Sequence, residues 1–149
     1  MKRLIHGIAG GIGFLTILIF WSSTAISELF ASQETVVLVK EMILQGMIIL
    51  IPAMIVVGGS GMALGKRRRD NLSNAKKKRM PVIALNGLLI LLPSAWFLAD
   101  RASSGDFDST FYLIQTLELV AGAINLTLMG LNIRDGLMLT GKIKRTRKS

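Results

Sequence analysis

Apolar residues run in long uninterrupted blocks, and the charged residues collect between them. Residues 4–27 carry no charge. Residues 42–65 form a second such block, which extends outward past Lys40 and Glu41 to about residue 36. Residues 80–99 form a third, and residues 109–133 a fourth, interrupted only by Glu118. About 20 helical residues cross a hydrocarbon core of ~30 Å, so each block predicts a transmembrane helix. The first block exceeds the 7–15 apolar residues of a signal-peptide core and is read as a span. A basic loop, residues 66–79, and a basic tail, residues 134–149, complete a single domain. Short connections between such helices force neighbours antiparallel, so the expected architecture is all-α: an integral-membrane antiparallel four-helix bundle. Gly105, Asp106 and Asp108 supply turn chemistry for the last hairpin. Pro81 is expected at the start of span three, Pro52 and Pro93 inside spans as kinks, and Gly136 as the C-cap of span four.

Charge adds an orientation. Of 18 Lys and Arg, all but Lys40 and Arg101 lie before span one, in the 66–79 loop or from Arg134 onward. Cytoplasmic segments carry the excess of Lys and Arg, which puts both termini in the cytoplasm. Trp21, Trp96, Phe111 and Tyr112 fall at the opposite ends of their spans, as an interfacial aromatic belt would. The formal charge of +9 and the mean hydropathy of +0.54 fit a polytopic membrane protein in contact with anionic lipid. Nucleic acid is not an expected partner, because orientation accounts for the basic residues and no base-stacking platform accompanies them. Cysteine is absent and histidine occurs once, which excludes disulfides, thiolate chemistry and a two-histidine zinc motif. No nucleophile elbow and no HExxH motif is present, so an enzyme is not the expected reading.

Span four holds the most pointed pattern. Gln115, Glu118, Gly122, Asn125, Met129 and Asn132 recur at intervals of three and four, which puts them on one helix face. Lipid would leave such a stripe unsatisfied, so it faces protein or water. Glu118 lies about 12 Å inside the helix end, a depth at which a carboxylate is costly. Either it pairs with Lys40 or bonds Gln45 and fixes the helices, or it titrates for transport. Gln45 is expected level with Glu118, and Asn86 of span three level with Asn125, as interhelical hydrogen bonds.

Glycine gathers toward the basic side, at Gly7, Gly10, Gly11 and Gly13 and again at Gly58, Gly59, Gly61 and Gly65. Close helix packing through a Gly7–Gly11 GxxxG pair is one reading. The other is room for a flat cofactor. His6, with Met62 and Met129 at similar depth, offers the axial pair of a b-type haem. Against this stand an interfacial histidine and methionines that merely pack.

The stretches His6–Gly10, Phe20–Thr24 and Phe111–Gly136 resemble small four-span inner-membrane proteins of proteobacteria that carry no assigned activity. The resemblance implies a bacterial inner-membrane location and contributes no functional residues. The chain departs from the cytochrome b561-like proteins, which use several intramembrane histidines where this one has His6 alone. Three functions therefore compete. They are a structural, assembly or accessory subunit of a larger membrane complex, a haem b electron-transfer protein, and a small homo-oligomeric proton- or cation-coupled transporter.

Overall fold

The computed structural model describes residues 1–65 and 71–141. Among them every regular element is helical: α1 (Lys2–Phe30), α2 (Gln33–Gly65), α3 (Asn71–Asn86), α4 (Leu92–Ser103) and α5 (Ser109–Leu139). A five-residue π-helical turn, Gly87–Leu91, joins α3 to α4 into one continuous rod, so four helices are long and apolar enough to cross a membrane. In a hydrocarbon solvent the helix is the solution available to a single apolar segment, because it satisfies each N–H and C=O internally.

Local chemistry places the ends. Ala31 is extended and closes α1, and the Ser32 hydroxyl accepts from the Thr35 N–H at 3.4 Å to open α2. Asp108 caps α5 by accepting from the Phe111 N–H at 2.8 Å, and Gly105 turns the chain before it with φ +76°. Pro93 has no N–H to offer the Leu89 carbonyl and its ring crowds that carbonyl. The ladder widens just before it, with the Leu92 N–H reaching back to the Gly87 carbonyl. Helix α2 runs on through Pro52.

Two boundaries differ from the sequence reading. Residues 71–79 are the first turns of α3 rather than loop, which puts Pro81 inside the helix instead of at its start. Helix α5 continues past Ile133 to Leu139, so Gly136 is helical and the positive-φ residue beyond the helix is Gly141. Residues 71–75 and 137–139 carry no charge and supply Leu, Ala and Met, which continue the helical pattern. Residues 66–70 and 142–149, the rest of the expected basic loop and tail, lie outside the described residues.

Contacts between the rods follow chain order. α1 meets α2 and α5, α2 meets α4 and more sparsely α3, and α5 meets α3 and α4. Among the described residues no close backbone approach joins α1 to α3 or α2 to α5. One apolar cluster, Val36, Leu98, Ala102 and Phe111, ties α2, α4 and α5 together. A second, Ile17, Ile83 and Met129, ties α1, α3 and α5. Phe111 is thus core rather than belt. Trp21 also turns inward, where its indole N–H donates to the Leu119 carbonyl at 2.8 Å. Trp96 and Tyr112 are exposed, as a belt requires.

Candidate functional site

The inward stripe of α2 is Val36, Lys40, Ile43, Met47, Leu50 and Met54, at intervals of four and three. That periodicity carries Lys40 into the interior, where it is 1% exposed. Its ammonium donates to Glu118 Oε2 at 2.7 Å. Gln115 Nε2 donates to the same oxygen at 3.3 Å. The expected pairing of Glu118 with Lys40 is therefore present, and the predicted face of α5 turns inward. Gln115, Gly122, Asn125 and Met129 are buried, with Glu118 and Asn132 half-buried beside them.

Gln45 does not join this group. It follows Lys40 by five residues, which rotates it about 140° around a helix of 3.6 residues per turn and lowers it by about 7.5 Å. It is exposed on the outer face of α2, one turn from the exposed Glu41. Glu28, near the C-terminal end of α1, does join. It lies within electrostatic reach of both Lys40 and Glu118. The buried lysine thus has two carboxylates around it. Glu28 Oε1 and Gln115 Oε1 are buried without a hydrogen-bond partner. The spacing of Trp21, Thr24 and Glu28 along α1 is the sequence signal that could have found it.

Midway along α5, Asn86 Nδ2 donates to Asn125 Oδ1 and to the Ala121 carbonyl, both at 2.9 Å. The expected Asn86–Asn125 level is met.

At the other end the buried ion is negative. Asp135 is 1% exposed and accepts from Arg79 Nη1 at 2.6 Å and from Arg134 Nη2 at 3.1 Å. Arg79 also reaches Asn132 Oδ1 at 3.5 Å. The sequence reading places Arg79 in a loop and so misses this partner. Lys76, one turn before Arg79, lies against α5, its Nζ 3.2 Å from where a Cβ on Gly136 would stand.

The haem ligand set does not assemble. His6 Nδ1 lies 2.9 Å from the Ser60 hydroxyl, which itself donates to the Val56 carbonyl. Met62 is 67% exposed on the outside of α2. Met129 is buried in the second core cluster, its methyl 3.7 Å from where a Cβ on Gly13 would stand. Gly13 is seven residues and about 10 Å along α1 from His6. The methionine that shares a neighbour with the histidine is Met80, since both crowd Gly61. Gly7 and Gly11 face open space, so the GxxxG pair makes no close contact. Gly46 and Gly122 are packed against rings of a neighbouring helix. A Cβ at Gly46 would overlap the Phe20 ring, and one at Gly122 would stand 2.8 Å from Trp21 Cδ1.

A partly open cleft of ≈ 1590 Å³ lies between the rods, with Trp21, Thr24 and Glu118 along it toward one end and Arg3, His6 and Lys76 toward the other. No family model, curated protein or solved structure matches the chain.

Proposed function

We propose that this protein is a non-enzymatic accessory or assembly subunit that binds another membrane protein through the outer face of α2. In this reading the rods form an antiparallel bundle in a bacterial inner membrane, with both termini cytoplasmic, in line with the resemblance to four-span inner-membrane proteins. The bundle is supported by the order of contacts, Phe20 at Gly46 and His6 at Ser60 on α1 and α2, then Arg79 at Asp135 and Asn86 at Asn125 on α3 and α5. The orientation is supported by the gathering of basic residues at the His6–Asp135 end.

The observation that carries the subunit reading is the exposed Glu41–Gln45 face. Gln45 is about 18 Å into α2 and amid exposed Met42, Ile48 and Ile49. A primary amide facing hydrocarbon is costly, and a neighbouring helix offering amide or hydroxyl groups satisfies it. Exposed Thr116 and Thr127, by contrast, are satisfied by carbonyls of their own helix. A photo-crosslinker at position 45 in native membranes tests this. An adduct with a different membrane protein supports the reading, a self-adduct replaces it with a homo-oligomer, and no adduct overturns it.

Transport is the second reading, supported by the unpartnered Glu28 and Gln115 oxygens beside a cleft-lining Glu118. A Glu118→Gln protein that folds normally but loses proton flux in liposomes would favour it.

A further inference from the structure

The basic end of the cleft holds more cation than the fold uses. Among the described residues Asp135 is the only acid at this end, and it is already held by Arg79 and Arg134. Lys76 is half-buried, lines the cleft and stands within ion-pair distance of no carboxylate among the described residues. A sheltered ammonium is stable when an anion shares its low-dielectric surroundings. His6 and Arg3 line the same end.

Beyond this basic end the cleft turns apolar. Ile17, Phe20, Ile43, Leu50, Leu88 and Met129 line it, with Asn125 among them and Thr24 and Glu118 toward the far end. From His6 to Trp21 it follows fifteen residues of α1, about 22 Å. One leaflet's acyl chains reach roughly 15 Å, half of a ~30 Å hydrocarbon core. Among the helices that touch, α2 and α3 make the sparsest contact, beside the basic end. An acyl chain entering from the bilayer would meet the least resistance there, with its headgroup at the membrane surface.

We propose that the cleft binds one anionic phospholipid, with its phosphate at Lys76 and an acyl chain lying along the apolar walls toward Trp21. The site is separate from the α2 outer face and stands whether or not that face binds a partner. The anionic lipid also gives the glycines of α2 a role. Gly58 lines the cleft with nothing within 4 Å of a Cβ placed on it, so it leaves space rather than making a contact.

The test loads the full-length protein in mild detergent with equal amounts of phosphatidylglycerol and phosphatidylcholine and counts bound lipid by native mass spectrometry. One phosphatidylglycerol per chain is expected, at about fivefold preference, which corresponds to about 1 kcal/mol for one basic residue at an anionic headgroup. Lys76→Gln should equalise the two lipids. Gly58→Leu, which fills open space and favours helix, should remove the bound lipid while the melting temperature holds. Inorganic phosphate in excess should not displace the lipid, because it lacks the chain. Equal binding of the two lipids by the unaltered protein overturns the headgroup assignment. Full retention of phosphatidylglycerol by Gly58→Leu places the lipid on the outer surface and overturns the cleft. Should Lys76→Gln fail to fold, Lys76→Arg must fold and keep the preference, and its loss there equally overturns the phosphate contact.

Discussion

The two ends of the molecule each bury one ion, and they do so with opposite signs. At one end Lys40 is enclosed, with Glu118 bonded to it and Glu28 within electrostatic reach. At the other, Asp135 is enclosed, with Arg79 and Arg134 bonded to it. The difference lies in how the surplus charge escapes. Arginine side chains are long and carry a planar head on an apolar stem, so Arg134 reaches the surface while still bonding Asp135. Glu28 and Glu118 are short and remain half-buried beside Lys40. The basic end is therefore buffered by redundant donors with access to water. The acidic end depends on one lysine.

That contrast predicts unequal responses to losing one partner. Lys40→Met should be the most damaging single change, because it strips Glu118 of its cation partner inside the helix cluster, at a cost of about 3–5 kcal/mol. Adding Glu118→Leu to it should recover much of the loss, as apolar replacement of a whole buried pair often does. Denaturation midpoints of the single and double variants in detergent check this, and purely additive losses would break the claim that the two charges act as a unit. Arg79→Gln should cost less, about 1.5–3 kcal/mol, the range for a hydrogen bond to a charged group, since Arg134 still holds Asp135. A loss from Arg79→Gln equal to that from Lys40→Met would mean that the redundancy at the basic end is not real.

Much of this was legible in the sequence, for a physical reason. A polar residue in a hydrocarbon segment has few places to go, so the three-and-four spacing of Gln115 to Asn132 alone identifies the inward face of α5. Lys40 and Glu118 are likewise the cation and anion that the spans offer at matching depth. The errors have equally definite causes. Depth alone matches Gln45 to Glu118, and its angle around α2 turns it away. Charge density around Arg79 and Lys76 hides a helical register, Ser73, Lys76, Met80 and Ile83, that continues into the apolar span. The His6–Met62 and His6–Met129 pairs came from depth alone, which constrains one coordinate of three.

Glycine sharpens the comparison along the rods. Gly122, next to the Lys40–Glu118 cluster, is packed under Trp21, whereas Gly7 at the basic end faces open space. Gly122→Ala should force the indole off its bond to the Leu119 carbonyl and cost about 1–3 kcal/mol, the usual range for overpacking. Gly7→Ala should be neutral or stabilise the helix by up to about 1 kcal/mol. In a Trp96→Phe background the fluorescence of Trp21 reports the first change directly. An unshifted spectrum in Gly122→Ala would show that the tight end has slack.

The smallest effect is expected from Arg134, and it tests the redundancy argument from the other side. Its side chain is 53% exposed although it bonds a buried carboxylate. Exposed ion pairs contribute about 0–1 kcal/mol, because water already solvates the free guanidinium and salt screens the pair. Asp135 keeps its shorter bond to Arg79 when Arg134 is removed, so it is never left bare. Arg134→Gln should therefore lower stability by less than about 1 kcal/mol. Arg134→Gln combined with Arg79→Gln should cost more than the two single losses together, because only the double variant strips Asp135 of both arginine partners. Melting curves of the two single variants and the double variant decide this. If the double variant loses no more than the sum, Asp135 draws its compensation from elsewhere, with Lys76 the nearest candidate, and the anion-binding role assigned to that lysine would have to be given up with it.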